Sequence, residues 1–208
     1  MKEIPILFST PMVQATLENR KTMTRRICKD ANDFCEPLND FIDNEKRTYA
    51  IQNYGDIKHT DFVSMCEVKM PICVGDVLWV KETWAQLDMD YKVVPGKLDM
   101  DEWKGCPVVY RADCPDKQIK WRSSRFMPKS AARIWLEVTG VKVERLQDIT
   151  INQIKKEGIY FGEWRPDPSY IEAFSNLWNA TLKTGDIPLY GWSANPWVWV
   201  ISFRRVES

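Results

Sequence analysis

Short apolar stretches alternate with polar ones along the chain, and their spacing predicts strands more often than helices. The longest period-two segment is residues 133–146, in which Ile134, Leu136 and Val138 share one face. Gly140 interrupts this alternation, which predicts a bulge or corner of the kind that lets a small barrel close. Residues 196–203 are almost continuously apolar and therefore predict a strand covered on both faces.

Three stretches show helical spacing instead. Residues 10–17 form the first predicted helix, which Asn19 can end in the left-handed conformation. Residues 151–157 form a short helix that Thr150 can cap and that Gly158 ends. A longer helix covers residues 170–182, and strands are predicted at 4–8, 22–27, 74–84 and 108–110. Together these elements predict a mixed α+β fold.

Two further stretches lack clear periodicity and are predicted as excursions. Residues 28–70 carry nine of the 29 acids, with a hairpin expected around residues 49–54. Residues 85–106 turn at Pro95-Gly96. Since no repeat, low-complexity tract or linker divides the chain, we expect one domain over residues 1–208. Its insertions are expected near residues 28–70, 85–120 and 160–195.

Composition is that of an ordinary globular protein, because 44% of the 208 residues are hydrophobic and 28% are charged. Ten tryptophans provide large flat surfaces, to be buried or offered to flat ligands. The chain has no charged-then-apolar leader, and no run approaches the ~18 apolar residues of a membrane span. These features predict a cytoplasmic protein without a membrane partner.

The formal net charge is zero, which argues against a general polyanion binder. The charge is nevertheless segregated along the chain. Residues 30–45 contain six acids and no base, whereas residues 117–133 contain six bases and no acid. The basic stripe, residues 117–133, could contact phosphates or pair with the acidic stretch, residues 30–45.

Six cysteines and one histidine restrict the metal and nucleophilic sites that the chain can build. No two cysteines have the two-residue gap of a zinc knuckle, and His59 lies in a polar stretch that predicts a loop. The cysteines are expected to be reduced thiols, several of them buried. We therefore expect no metal, no cofactor and no catalytic role for His59.

A basic turn follows the first predicted helix, with four cations and two hydroxyls between Arg20 and Arg26. In a strand over residues 22–27, Thr24 and Arg26 point to one face and Arg25 to the other. Lys21 sits at the corner, where a turn can aim its amine at Thr24. An amine beside a hydroxyl can act as a base on a nucleophile or as a cation that holds an anion. A solvated basic turn is the alternative interpretation.

Two glutamates occupy unusual positions in their elements. Glu82 follows Lys81 at the end of an otherwise apolar strand, where binding groups often lie, although a surface salt bridge is the commoner explanation. Glu157 stands at the C-terminal end of a helix, where the macrodipole favours cations. Residues that break a local rule are enriched at functional sites, and the alternative for Glu157 is an exposed side chain of little cost.

Seven short motifs follow one another in the chain: ILFSTPM at 6–12, RKTMTRR at 20–26, GDVLWVKETW at 75–84, MPK at 127–129, LEVT at 136–139, EGI at 157–159 and NPWVWV at 195–200. In this order they resemble the ASCH-domain proteins of the PUA-like superfamily, in the longer variety typical of phages and prophages. The resemblance implies a small mixed β-barrel with helices flanking a cleft. It also implies a superfamily that commonly handles RNA or modified nucleotides.

One compact ASCH branch is similar to N4-acetylcytidine amidohydrolases, in which a lysine and a threonine of a Lys-Thr-x-Thr motif work with a glutamate after the long strand. Residue by residue, the resemblance places these roles on Lys21, Thr24 and Glu157. Thr24 would be the nucleophile, Lys21 its base and Glu157 the group that passes the proton to the leaving amine. A related branch has been regarded as ribonuclease-like, which makes a nuclease-like activity the alternative enzyme.

Three functional hypotheses follow. The first is a nucleoside- or nucleic-acid-directed protein that hydrolyses an N-acylated nucleobase. The second is a non-catalytic module that binds single-stranded nucleic acid, RNA rather than DNA. The third is a phage accessory protein that binds a host protein through the acidic stretch. For the first two, the predicted binding residues are Arg20, Arg25, Arg26, Trp79, Lys81, Glu82, Trp84, Arg122, Arg125 and Lys129, with Trp197 as a further flat wall for a base.

Overall fold

A computed structural model of the chain describes residues 1–29, 31, 35–53, 64–87, 108–114, 119–161 and 167–206. Within these residues the fold is mixed α+β, as the sequence predicts. Its strands are β1 (Glu3–Leu7), β2 (Met23–Ile27), β3 (Cys35–Asp43), β4 (Thr48–Asn53), β5 (Ser64–Lys69), β6 (Val77–Lys81), β7 (Trp84–Gln86), β8 (Val108–Tyr110), β9 (Trp135–Arg145) and β10 (Trp197–Val206). Its α-helices are α1 (Thr10–Leu17), α2 (Ile151–Lys156), α3 (Asp167–Ala180) and α4 (Ile187–Tyr190).

Five strands form the central sheet, in the order β1-β6-β9-β10-β2. β1 pairs with β6 in parallel, and the other three pairs are antiparallel. Among the described strands, β1 and β2 are the outer ones and do not pair, so the closed barrel that the resemblance implies is not observed. Arg26 nevertheless connects the two edges, because its guanidinium donates to the carbonyl oxygens of Leu7 and Arg25 at 3.0 and 3.1 Å. The sheet therefore curls far enough for one side chain to reach both edges.

The pairing of β9 with β10 confirms the prediction for Gly140. Gly140 lies opposite Ser202, but the next pair is Val138 with Phe203, so Thr139 is an extra residue in β9. An extra residue in one strand of an antiparallel pair is a β-bulge, which bends and twists that strand. The interruption of the apolar alternation at Gly140 thus marks a real break in the ladder.

Each face of the central sheet is buried in its own apolar cluster. β10 contributes Trp199 and Ile201 to the cluster that contains β1, β6, β9 and α1, and Val198 and Val200 to the cluster covered by α2 and α3. This arrangement confirms the prediction that residues 196–203 form a strand covered on both faces, since only such a strand can be apolar at successive positions.

A second sheet occupies residues 35–69, where the sequence predicts an excursion with one hairpin. Its strands run antiparallel in the order β3-β4-β5. The sequence predicts a hairpin around residues 49–54, and β4 at residues 48–53 pairs antiparallel with both β3 and β5; the turn at residues 44–47 precedes it, and residues 54–63 lie outside the described residues. The ring of Tyr49 meets that of Trp199 edge-on, with centroids 4.7 Å apart, which ties this sheet to the central one.

The helices lie close to their predicted positions. Asn19 has φ 57°, which confirms the left-handed stop after α1. Thr150 and Gln153 form a complete capping box at the start of α2. α3 covers Asp167–Ala180 rather than residues 170–182. No described helix combines the length and apolarity needed to cross a membrane.

β7 and β8 form a small antiparallel sheet within the predicted insertion at residues 85–120. Trp84 of β7 also pairs with Arg122 through the backbone, so the basic stripe is attached to this sheet. Residues 88–107 and 115–118, which complete the insertion, and His59 lie outside the described residues.

Candidate functional site

The basic turn after α1 is packed against the C-terminal end of α2. The last carbonyl groups of a helix lack partners within it and need donors from elsewhere. Here the carbonyl oxygens of Lys156, Glu157 and Gly158 accept from the Thr22 backbone N–H, Lys21 Nζ and Arg20 Nη1, each at 2.9 Å. The motif singled out as a site thus also caps a helix, with cations at the end that the macrodipole favours.

Gly158 permits the close approach between α1 and the turn that follows α2. Its φ of 97° is strained for any residue with a side chain, and a Cβ built there would lie 2.7 Å from Ala15 Cβ. The turn after α2 therefore lies directly against α1, and this contact places Glu157 beside Lys21.

Lys21 and Glu157 form a buried ion pair. Lys21 Nζ donates to Glu157 Oε2 at 2.8 Å, and the two side chains are 0% and 5% exposed. The ammonium also donates to the carbonyl oxygens of Met23 and Glu157, at 2.8 and 2.9 Å, so all three of its N–H groups are used. Burial lowers the pKa of the Lys21 ammonium; the Glu157 carboxylate opposes this effect, and Arg26 and Arg25 add to it.

Arg25 extends the pair into a network of four charges. Its Nη1 donates to Glu157 Oε1 at 3.0 Å, and its Nη2 donates to Glu144 Oε1. The Arg25 side chain is 1% exposed and that of Glu144 is 11% exposed. Two cations, Lys21 and Arg25, thus hold one oxygen each of the Glu157 carboxylate. The four charges sum to zero, which reduces the cost of burying them.

Thr24 is buried, with 1% of its surface exposed, but it does not join this network. On β2 it pairs with Ile201, and the alternation of the strand places it on the face opposite to Met23 and Arg25. Among the described residues, no hydrogen bond joins its hydroxyl to Lys21 or Glu157. The sequence predicts a contact of the Lys21 amine with Thr24. The amine instead donates to the carbonyl oxygen of Met23, which directly precedes Thr24.

The structure decides whether the Glu157 side chain, at the C-terminal end of α2, is exposed or buried. The alternative of an exposed side chain is wrong, because Glu157 is 5% exposed and paired with two cations. Those cations supply the positive charge that the end of α2 favours, which explains how a glutamate is tolerated there.

The three arginines predicted as binding residues are engaged within the fold. Arg25 lies in the buried network, Arg26 links the sheet edges, and Arg20 donates to Gly158 and to Glu18. Their guanidinium groups therefore stabilise the turn and its neighbours in this structure.

Glu82 belongs to a separate cluster. It is 1% exposed and accepts from Arg133 Nε and Nη2, at 2.8 and 3.0 Å. Arg133 also pairs with Asp113 and lies 3.9 Å from the centre of the Tyr110 ring. Burial raises the pKa of the Glu82 carboxyl, and Arg133 opposes this effect. The surface salt bridge considered for Glu82 is thus a buried one, and its partner is Arg133 rather than Lys81.

The remaining predicted binding residues differ in how far their side chains are exposed. Trp84 is 1% exposed, with Arg122 lying over its ring at 5.4 Å, so it offers no open wall to a ligand. Arg125 and Phe126 are exposed, and Lys81 Nζ donates to the Arg125 carbonyl at 2.5 Å. The partly buried rings of Trp79, Trp135 and Trp197 lie under the cationic groups of Lys81, Lys129 and Arg145, respectively.

The basic stripe finds described partners outside the acidic stretch. Lys129 pairs with Glu3, and Arg133 pairs with Glu82 and Asp113. The Asp43 carboxylate accepts from backbone N–H groups of the turn at residues 44–47. Lys117, Asp30 and Asp33 lie outside the described residues.

Glu144 is the site residue that the sequence did not reveal. It lies in the long alternating strand beside Lys142, with which it also pairs, and such a neighbour suggests an ordinary surface pair. Its contact with Arg25 spans 119 residues and gives no local signal.

The cysteines whose side chains are described, Cys28, Cys73 and Cys114, are free thiols, and the first two are buried. Among the described residues, no three His, Cys, Asp or Glu side chains are grouped as a metal site requires. Comparisons of the chain with protein-family models, with curated proteins and with solved structures find no match.

Proposed function

We propose that the protein is an ASCH-type amidohydrolase that removes the acyl group from an N-acylated nucleobase. The observation that carries the proposal is the buried pair between Lys21 of the Lys-Thr-x-Thr motif and Glu157, whose side chains are 0% and 5% exposed. A buried ion pair contributes little net stability compared with apolar packing, because desolvation offsets the attraction. Buried ionisable groups with shifted pKa values are, however, enriched at active sites.

In the proposed reaction the Lys21 ammonium first releases a proton and gives up one of its three hydrogen bonds. The neutral amine then takes the proton of the Thr24 hydroxyl while Thr24 Oγ1 attacks the acyl carbonyl carbon. The tetrahedral intermediate then breaks its C–N bond, and the leaving exocyclic amine receives the proton that Lys21 took from Thr24, passed on through Glu157. Water hydrolyses the acyl-threonine ester, releases the acid and restores Thr24. Burial of Lys21 supports this scheme, because desolvation favours the neutral amine.

The reaction requires a local rearrangement. Lys21 Nζ must exchange the Met23 carbonyl for the Thr24 hydroxyl, which the alternation of β2 places on the face opposite to Arg25. Because the side chains of Lys21 and Glu157 are 0% and 5% exposed, substrate must also displace the residues that cover them.

The fold part of the proposal is a PUA-like barrel. Its support is the position of Arg26, whose guanidinium bridges the outer strands β1 and β2 of the central sheet. Pairing of β1 with β2 would close this sheet into a barrel.

The test is release of free acetate from N4-acetylcytidine, with Thr24→Val and Thr24→Ser as matched variants. Thr24→Val removes the nucleophile and should lower kcat by roughly 10⁴-fold, whereas Thr24→Ser should retain measurable turnover. The valine variant should unfold near the wild-type temperature, since the Thr24 hydroxyl makes no hydrogen bond among the described residues and valine suits a strand. Undiminished turnover by Thr24→Val, or no turnover by the wild type on any N-acylated nucleoside, would refute the proposal.

A binding module for single-stranded nucleic acid is the second candidate. Phe126 favours it, because its ring is 75% exposed beside the exposed cation Arg125. Exposed aromatic rings stack on bases, and neighbouring cations attract the phosphates. Its test is the salt dependence of binding to RNA.

A further inference from the structure

Glu157 has a geometry that a simple ion pair would not require. Lys21 Nζ holds Oε2 at 2.8 Å, and Arg25 Nη1 holds Oε1 at 3.0 Å. Both oxygens are therefore fixed, and the carboxylate cannot rotate without breaking a charge-assisted hydrogen bond. The orientation of Glu157 depends on Arg25 as much as on Lys21.

Arg25 is itself held in place from the other side. Its Nη2 donates to Glu144, which belongs to β9, while Glu157 follows α2. The guanidinium thus spans two elements and two carboxylates at 1% exposure. No described residue accepts from its Nε, so the side chain is positioned for these two carboxylates at the expense of a buried donor.

Arg25 also acts on Lys21 through its charge. The groups that face the Lys21 ammonium are Glu157 after α2, Arg25 and Arg26 on β2, and the ring of Phe8 at 5.3 Å. α1, which packs beside them, contributes no ionisable side chain. A cation that binds Glu157 competes with Lys21 for the carboxylate, and its own charge disfavours a second cation nearby.

We propose that Arg25, anchored by Glu144, is a positioning residue that fixes the Glu157 carboxylate beside Lys21 and places a second positive charge next to the Lys21 amine. This inference rests on the proposed amidohydrolase function. It assigns to Arg25 a role other than substrate binding, because the side chain is buried and both carboxylate contacts are internal.

An arginine is required for this role. Its planar fork directs separate N–H groups to two acceptors in fixed directions, whereas a lysine ammonium is a point charge on a flexible stem. Arg25→Lys therefore keeps the charge and loses the bridge, and Arg25→Gln loses both. Arg204, on the surface of β10 and paired with Glu137, provides a matched control variant, Arg204→Gln.

The experiment compares the pH dependence of kcat for wild type, Arg25→Lys, Arg25→Gln, Glu144→Gln and Arg204→Gln. Loss of the Arg25 charge makes the protonated form of Lys21 more favourable. The ascending limb of the profile should then move to higher pH in Arg25→Gln. Glu144→Gln keeps the charge of Arg25 but weakens the contact that anchors its guanidinium. This variant should therefore lower kcat with a smaller shift of the pH profile. Arg204→Gln should match the wild type in both.

A second measurement separates this inference from the proposed function. The titration of the Lys21 amine can be followed by ¹³Cε NMR, whether or not the protein turns over a substrate. A titration that moves to higher pH in Arg25→Gln supports the charge coupling, even if no acylated nucleoside is hydrolysed and the amidohydrolase proposal fails. A wild-type titration in Arg25→Gln, with a wild-type pH profile in an active enzyme, overturns the inference and leaves the amidohydrolase standing.

Discussion

Within the part of the chain that the structure describes, arginine holds two buried glutamates, Glu82 and Glu157, and their surroundings differ. Glu82 is bound by both Nε and Nη2 of Arg133, whose side chain is 26% exposed and continues to Asp113 at the surface. Glu157 divides its oxygens between Lys21 and Arg25, which are 0% and 1% exposed. The first cluster therefore extends into solvent, and the second is enclosed.

The difference between Glu82 and Glu157 shows which feature of a buried glutamate supports a proposal of catalysis. Glu82 has a single partner that satisfies both of its oxygens, as in an ordinary structural salt bridge. Glu157 shares its charge with a lysine whose pKa burial lowers, and the same segment carries a buried threonine. A burial criterion alone would rank the two glutamates equally. The second site differs from the first in its lysine, whose pKa burial lowers, and the proposed catalytic roles of Lys21 and Thr24 rest on that difference.

The largest expected effect comes from breaking the enclosed pair with Lys21→Met. Methionine can fill the space of the lysine stem but leaves Glu157 Oε2 buried without its cation. Removing one partner of a buried pair destabilises a protein by about 3–5 kcal/mol, and the variant should also lack turnover. Urea denaturation measures the first effect and acetate release the second. Unchanged stability would mean that water reaches Glu157 in solution.

A smaller effect is expected from Glu82→Gln in the other cluster. The amide removes the charge that Arg133 binds and points an NH₂ group towards it, so the protein should lose about 1–3 kcal/mol of stability. Turnover of the folded variant should stay within about twofold of the wild type. A variant of normal stability without turnover would place Glu82 in the active site, as the sequence suggested, and remove the contrast between the two clusters.

The smallest effect concerns the exposed cations of the basic stripe. If Arg125 contacts a phosphate, Arg125→Ala should flatten the log–log salt dependence of RNA binding by about 0.7 units, and the surface variant Arg204→Ala should not. Filter binding at several salt concentrations measures the slope. Equal slopes for the two variants would exclude a phosphate contact at Arg125, and affinity near zero at all salt concentrations would exclude the binding module.

Local patterns predicted the elements well, for a physical reason. A strand covered on both faces must be apolar at successive positions, and residues 196–203 show this pattern in the sequence. Asn19 marked a helix end because few residues suit the left-handed conformation, and Gly140 marked a bulge because it interrupts the apolar alternation. The second sheet was missed because residues 28–70 alternate too weakly to separate three strands from loops.

The sequence by itself also identified Lys21 and Glu157, the first from its position at a basic turn and the second from its mismatch with the helix dipole. Only the tertiary structure decided that they meet, since 136 residues separate them. The same holds for Arg25, Glu144 and Glu157, which lie on three elements brought together by the central sheet and by Gly158. Periodicity reports which face of an element is buried, but the partner of a buried charge depends on long-range packing that no local pattern encodes.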